Sequence, residues 1–569
     1  MSHELSLSIV GAGGDGAVAA GDILSLASAR DGLSVIKTEA YGPQIRGGES
    51  SCTVRISATP IHAQADAVDA LVVFSWSDFA RFKSEIELAK DAILFHDEKD
   101  APPEELKAYR LVPIAFAAQR AAKNIFALGL LASTFGLPAD QIRSAVRARF
   151  KKKTEAVIEA NVTAFDAGIT YGVELLLGAK QLDYVPSEPK LLMAGNEASA
   201  VGAVEAGCRF FAGYPITPSS EILHYLGEFL PRVGGTCLQT EDELAAIGAV
   251  VGASFAGKKA LTATSGPGLS LMSEMLGLSA MAEVPSVIVN VQRGGPSTGI
   301  PTKSEQSDLW HSLYGSHGDT PRVVLSCTDV EDSFHITVDG FNIAEEFQLP
   351  VIVLSEQSIA QRRETVEAKN LTHAVVDRRI ATDVQEYRRY KVTDDGVSPM
   401  SIPGMKGGEY QTNGLEHDER GRPSSMYTTH ETMNAKRWRK LDAIAKKYGH
   451  LFTRFGPANP DVGILCWGSS TGVVREAVDR LTARGVRVAA FAPRILMPLP
   501  TEAIQAFINE SKELLIIELS FAGQFAKYLR SELDLPRERT RVVARSGGKN
   551  LTVLEVVEQI VRTPAEVLV

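Results

Sequence analysis

The chain has 569 residues, more than one hydrophobic core comfortably serves, so two to four domains are expected. Its 44% hydrophobic and 22% charged content is that of a folded globular protein, and a net charge of −10 excludes the basic footprint that a nucleic-acid partner requires. The N-terminus lacks the basic and apolar regions of a signal peptide, and no apolar run reaches membrane-spanning length, so a cytoplasmic protein without a membrane contact is expected.

The chain opens with a predicted strand over residues 5–10, the loop Gly11-Ala-Gly-Gly-Asp-Gly16, a helix over 17–29 and a strand over 33–38. Gly11, Gly13 and Gly16 formally spell G-x-G-x-x-G, and Glu39 lies about where a ribose-binding acid would follow, so a nicotinamide dinucleotide site is one reading. A tight strand-to-helix turn is the other. The second glycine-rich loop, Tyr41-Gly-Pro-Gln-Ile-Arg-Gly-Gly48, and a strand over 50–57 that doubles back weaken the nucleotide reading. Gly14-Asp15-Gly16 also opens a metal–diphosphate motif, but that motif needs an asparagine further on and none lies between Gly16 and Asn124. If the protein uses thiamine diphosphate, another chain must therefore hold the metal and the diphosphate.

Strands over 70–74 and 92–95 and a helical region to about residue 179 complete a first domain, 1–182, before the polar, proline-bearing boundary Gln181 to Pro189. From 190 to 361 apolar runs at 190–194, 209–212, 259–264, 286–291 and 351–354 alternate with helices, the pattern of a buried, doubly wound parallel sheet. Residues 362–455 lose this rhythm and read as an ordered connector with a surface loop. Strands over 462–467, 486–491, 513–518 and 541–543 then build a third α/β domain, 456–569. The fold class is α/β and multidomain.

Ligands in such sheets bind beyond the carboxyl ends of the strands, where four motif loops lie. The first is Gly213-Tyr-Pro-Ile-Thr-Pro-Ser219, whose two prolines restrain the Thr217 hydroxyl, suiting it to a carboxylate; equally, they terminate a strand and start a helix. The second, Gln239-Thr-Glu-Asp-Glu243, offers an acid, although Thr240-x-x-Glu243 also spells a capping box. The third is Ser265-Gly-Pro-Gly268. The fourth, Gln292-Arg-Gly-Gly-Pro-Ser-Thr-Gly299, supplies Arg293, a planar fork for a carboxylate or a surface arginine on a flexible loop, and Thr302 follows nine positions later. Cys52, Cys208, Cys237, Cys327 and Cys466 stand singly and read as core residues rather than metal ligands; no metal site is assigned to this chain.

These loops, with Tyr41-Gly42, Arg46-Gly-Gly48, Val54-Arg-Ile-Ser57, Glu241-Asp-Glu-Leu-Ala-Ala246 and Val291-Gln-Arg-Gly-Gly-Pro-Ser-Thr-Gly-Ile-Pro-Thr302, resemble the α subunit of 2-oxoacid:ferredoxin oxidoreductases with the γ domain fused at the N-terminus. The resemblance spans nearly the whole chain. It implies a γ domain (1–182), a pyrimidine-binding thiamine diphosphate domain (190–361) and a transketolase C-terminal-like domain (456–569). It further implies thiamine diphosphate shared with a β subunit that carries Mg²⁺ and a [4Fe-4S] cluster, an (αβ)2 assembly, ferredoxin as acceptor, and coenzyme A as cosubstrate. The resemblance gives Glu243 the contact with the aminopyrimidine N1′, while Thr217, Arg293, Thr302 and Arg46 face the substrate. Tyr214, Pro215, Ile216, Ser265 and Gly266 line the cofactor.

The fused arrangement and the Ile300-Pro-Thr302 context favour 2-oxoglutarate over pyruvate; a pyruvate or broad 2-oxoacid enzyme and a nicotinamide-dependent dehydrogenase module are the alternatives. The enzyme is expected to oxidise 2-oxoglutarate to succinyl-CoA or to run in reverse, as in a reductive TCA cycle. Two departures from the family pattern are Asp15 where glutamine is common and Ser520 where asparagine is usual.

Overall fold

The computed structural model describes residues 2–42, 48–116 and 122–561. The chain forms two compact units, with strands numbered here in chain order through the whole molecule. The first unit comprises Met1–Ala194 with two later segments, Arg362–Asn370 and Thr552–Glu558. Its sheet is built from β1 (Glu4–Ala12), β2 (Ser34–Tyr41), β3 (Glu49–Ser57), β4 (Val68–Val73), β5 (Leu88–Asp97), β6 (Arg110–Ile114), β7 (Leu191–Ala194) and β14 (Arg363–Val366). The order is β6-β5-β4-β1-β3-β2-β14-β7. Over one face the helices Lys123–Phe135 and Glu155–Glu174 approach backbone to backbone. A Cβ at Gly129 would lie 2.0 Å from the Phe165 carbonyl oxygen, and one at Gly168 would lie 2.1 Å from that of Phe126.

This topology removes the dinucleotide reading. In a dinucleotide-binding sheet the first two strands are parallel neighbours. Here β3 lies between β1 and β2 and runs antiparallel to both. Glu39 is also committed elsewhere, accepting hydrogen bonds from Lys37 and Tyr41. The glycine loop is a tight turn closed by its own acid: Asp15 accepts from the Ala12 amide at 3.1 Å and pairs with Lys123 at 2.7 Å. Arg46 lies outside the described residues.

The second unit comprises Gly195–Gln361, Leu371–Leu551 and Gln559–Val569. Its larger sheet contains β8 (Phe210–Gly213), β9 (Thr236–Gln239), β10 (Ala260–Thr264), β11 (Ser286–Gln292), β12 (Val323–Ser326), β13 (Pro350–Glu356) and β18 (Ile495–Met497). The order is β18-β12-β13-β11-β10-β8-β9, parallel except for β18. The smaller sheet, β15-β17-β16-β19-β20, is formed by β15 (Phe452–Phe455), β16 (Val462–Leu465), β17 (Val488–Pro493), β19 (Glu513–Glu518) and β20 (Thr540–Ala544). A single core reaches from Ile247 and Leu269 beside the larger sheet to Phe491, Ile516 and Phe525 beside the smaller.

Between the sheets in sequence, residues 371–426 carry little regular structure and lead into the helix Tyr427–Tyr448. A buried ionic cluster holds this segment. Lys436 bonds both Glu283 carboxylate oxygens at 2.6 Å, Lys440 pairs with Glu283 at 2.7 Å, and Arg389 donates to the Glu283 carbonyl at 2.6 Å. Burial works to raise the Glu283 carboxyl, but the three cations outweigh it and hold the group well below the ordinary glutamate range. Burial beside two other cations draws the Lys440 ammonium down to about 7.

Glu283→Gln should destabilise the second unit by about 3–5 kcal/mol at neutral pH, because three buried cations lose their carboxylate. A carboxyl with a depressed folded pKa contributes stability that is complete above its unfolded value and fades as pH falls. The deficit relative to wild type should therefore shrink below about pH 4.5. Urea denaturation of both proteins across pH checks this, and a deficit independent of pH would contradict it.

Candidate active site

Four neighbouring strands, β11-β10-β8-β9, run parallel, so the segments that follow them emerge along one edge of the larger sheet. They are the four motif loops singled out in the sequence. The loop after β8 turns at Ile216, whose carbonyl accepts from the Ser219 amide at 2.8 Å and the Ser219 hydroxyl at 3.0 Å. Asn196 fastens its end, donating to the Pro218 carbonyl at 2.8 Å. Tyr214, Pro215 and Thr217 are left exposed.

Arg293 leaves β11 with only 6% of its surface exposed and donates through Nη1 to the Thr217 carbonyl. That bond joins two sequence-predicted substrate residues across the intervening strand. The guanidinium Nε is buried and has no hydrogen-bond partner among the described residues. Burial pulls the guanidinium below its usual pKa, and Asp308 partly restores it. A desolvated cation with unused donors is suited to an incoming carboxylate.

Glu243 opens the helix Glu243–Phe255 and is 5% exposed. The capping box expected from Thr240 and Glu243 does not form. Asp242 is the N-cap, accepting from the Ala245 amide at 2.8 Å, while Thr240 donates to the Asp242 carbonyl at 2.9 Å. Asp242, two residues after Thr240 and immediately before the helix, takes the N-cap position that aspartate favours. This leaves the Glu243 carboxylate without a hydrogen-bond or ion-pair partner among the described residues. It lies against the start of the helix Gly266–Met281: a Cβ at Gly268 would fall 2.6 Å from Glu243 Oε1 and 2.0 Å from Thr264 Oγ1.

Sequence reasoning missed Asn290 and Asp308. Asn290 Nδ2 donates to Asp308 Oδ2 at 3.0 Å, and both oxygens of Asp308 lie 2.9 Å from the position of a Cβ on Gly266. The available signal was a polar residue inside the apolar run of β11. The Ser265 hydroxyl and the Asn290 carbonyl oxygen are buried without partners among the described residues, like Arg293 Nε. Thr302 is exposed on the loop after Arg293, whose neck is closed by bonds from Gly294 N to Lys303 O at 2.9 Å and from Ile300 N to Gly294 O at 2.8 Å.

Three family models match in succession: "Pyruvate ferredoxin/flavodoxin oxidoreductase" over residues 6–171, "Pyruvate flavodoxin/ferredoxin oxidoreductase, thiamine diP-bdg" over 201–436, and "Pyruvate:ferredoxin oxidoreductase core domain II" over 460–556. The chain belongs to the family of 2-oxoacid:ferredoxin oxidoreductase α subunits. It is 31% identical to subunit alpha of 2-oxoacid:ferredoxin oxidoreductase 1 from Aeropyrum pernix, covering 94% of this chain and 93% of that one. It is 38% identical to the KorA subunit of 2-oxoglutarate synthase from Methanothermobacter thermautotrophicus, over 59% of this chain and 89% of the relative. A solved 2-oxoglutarate:ferredoxin oxidoreductase from Magnetococcus marinus, with 2-oxoglutarate, coenzyme A and succinyl-CoA bound, superposes with a TM-score of 0.94 at 38% identity, covering 98% of this chain and 99% of that chain.

Gly268→Ala tests the geometry at Glu243. The added methyl must displace either the carboxylate or Thr264, so the assembled enzyme should lose at least about tenfold in turnover while its circular dichroism stays unchanged. Full turnover would show that the Glu243 position is not critical.

Proposed function

We propose that this chain is the α subunit of a thiamine diphosphate-dependent 2-oxoglutarate:ferredoxin oxidoreductase. The reaction converts 2-oxoglutarate, coenzyme A and two oxidised ferredoxins into succinyl-CoA, CO₂, a proton and two reduced ferredoxins. The same residues serve the reverse direction. The observation that carries the reading is the buried, incompletely bonded Arg293 held on the Thr217 loop, within a chain alike over almost its whole length to an enzyme solved with 2-oxoglutarate bound. Pyruvate is the second reading, favoured by the names of the three family models.

The site fits the cofactor on its own chemistry, offering a buried carboxylate without a partner, a glycine that keeps space open beside it, and an unpaired buried hydroxyl at Ser265. In this reading Glu243 meets the aminopyrimidine N1′, with Tyr214, Pro215, Ile216, Ser265 and Gly266 along the cofactor. When bound, thiamine diphosphate supplies a nucleophilic carbon for the 2-keto group and a sink for the electrons released on loss of CO₂. Glu243 holds a proton at its carboxylate for exchange with the ring nitrogen. Arg293 and Thr217 grip the 1-carboxylate, and Thr302 closes over the substrate.

A β subunit carrying Mg²⁺ and a [4Fe-4S] cluster completes an (αβ)2 enzyme that passes electrons to ferredoxin. Leu238 on β9, Leu244 on the helix Glu243–Phe255 and Leu271 on the helix Gly266–Met281 are exposed apolar residues close in sequence to the site loops, as a partner surface would require.

Anaerobic co-expression with the β subunit, followed by viologen reduction with 2-oxoglutarate or pyruvate, tests the reading. Coenzyme A-dependent reduction preferring 2-oxoglutarate is expected, and preference for pyruvate would install the second reading. No reduction by any 2-oxoacid from a cluster- and thiamine-loaded complex would overturn both. In that assay Glu243→Gln should lower kcat by about 10²- to 10⁴-fold with little change in KM for the 2-oxoacid. Wild-type turnover by this variant would remove Glu243 from catalysis.

A further inference from the structure

The loop between Arg293 and Lys303 differs from the other three site segments, because no helix follows it directly. Residues 295–300 are exposed, and both Ser297 (φ 57°) and Gly299 (φ 47°) are left-handed. Its own closure at Gly294, Ile300 and Lys303 fixes the neck but not the direction in which the loop points. Its exit segment, however, is held by residues from the far end of the sequence.

Glu305 is buried and accepts a hydrogen bond through Oε1 from the Gly547 amide at 2.8 Å. Its carboxyl carbon also lies 3.7 Å from the position of a Cβ on Gly294. Next to Gly547, Gly548 is seated on Lys303: a Cβ there would fall 2.2 Å from Lys303 Cβ and 2.8 Å from Cγ. The segment carrying these glycines is tied at its start, where the Arg545 amide donates to the Glu518 carbonyl at 3.1 Å, and is closed on itself by Arg545 Nη1 donating to the Asn550 carbonyl at 3.1 Å. One residue past Glu305, Gln306 exchanges backbone and side-chain bonds with Leu519 at 2.7 and 2.8 Å.

We propose that residues 545–550 form a strap that aims the Arg293–Lys303 loop at the 2-oxoacid, with Glu305 and Gly548 as positioning residues for substrate binding. The proposal rests on the reading of Arg293 and Thr302 as substrate residues. Gly548 is required because its left-handed backbone (φ 76°) and its contact with Lys303 both exclude a side chain. The clash is with Lys303 Cβ, which moves only if the loop backbone one residue from Thr302 moves.

The test uses the assembled enzyme carrying Gly548→Ala, Glu305→Ala or Glu305→Gln. Gly485→Ala serves as a control, since Gly485 is also left-handed (φ 82°) but nothing lies within 4 Å of its added methyl. Gly548→Ala and Glu305→Ala should each raise KM for the 2-oxoacid by about tenfold or more while kcat changes by less than about threefold. Glu305→Gln, which keeps the acceptor, should recover most of the affinity, and the control should behave as wild type. Tryptic cleavage after Lys303, a readout independent of turnover, should accelerate in the same two variants. Unchanged KM with unchanged cleavage in Gly548→Ala overturns the strap. An equal rise in KM in the control assigns the effect to backbone strain and also overturns it. A wild-type enzyme inert toward every 2-oxoacid instead defeats the functional reading, and the cleavage rates still decide whether the strap exists.

Discussion

The adjacency of β11, β10, β8 and β9 is the constraint on which the site depends. Parallel strands need crossovers, crossovers place a loop and a helix start after each strand, and four adjacent strands therefore deliver four loops to one edge. Two consequences follow from named contacts. Arg293 crosses above the strand between its own and that of Thr217 to bond the Thr217 carbonyl. Glu243 lies against the first turn of the helix that follows β10. The free amides and dipoles at the starts of the helices Glu243–Phe255 and Gly266–Met281 favour a negatively charged ligand at this edge.

The same sheet supplies the docking point for the C-terminal sheet of the second unit. Glu356, at the end of β13, is buried and accepts from Gln306 Nε2 at 2.8 Å, from the Ser469 amide at 2.8 Å and from the Ser469 hydroxyl. Gly468 makes that approach possible, because a Cβ there would lie 1.9 Å from Glu356 Oε1. A buried carboxylate satisfied this fully fixes one docking geometry rather than a range of greasy alternatives. Ser520 plays a comparable part locally: it donates to Glu518 at 2.6 Å, and Glu518 accepts from the Phe525 and Ala526 amides at 2.9 Å, capping the helix Gln524–Glu532. The departure from asparagine is thus accommodated by a hydroxyl bonded to its own acid.

Among the parallel strands of the larger sheet, β10, β11 and β13 were legible in sequence because a largely apolar run marks each. β9 was inferred only from the loop that follows it, and β12 was not seen. Thr236–Gln239 is a largely exposed edge strand with two polar residues in four, and Val323–Ser326 is too short to stand out beside the long helix after it. In the connector, the helix Tyr427–Tyr448 was hidden by its charge, since Lys436 and Lys440 read as solvated yet are buried on Glu283. Thr217, Arg293 and Glu243 were legible as residues in loops after strands. The bond between Thr217 and Arg293, the substitution of Asp242 for Thr240 as cap, and the glycine–lysine seat at Gly548 depend on distances that sequence does not contain.

Asp308 explains why Arg293 keeps its charge available. Burial pushes the Asp308 carboxyl above the ordinary aspartate range, with the Asn290 hydrogen bond and Coulombic interaction with His311 and Arg293 opposing the shift. An acid held in this balance supports the guanidinium electrostatically without forming a salt bridge, for Arg293 and Asp308 share no ion pair in the structure. A full salt bridge would occupy the planar fork and force an incoming carboxylate to displace a partner of equal charge. Without that salt bridge the guanidinium is anchored by one neutral carbonyl, with its other donors unspent. Asn290 completes the arrangement by donating its amide to Asp308 at 3.0 Å, giving the acid a neutral partner in place of the guanidinium.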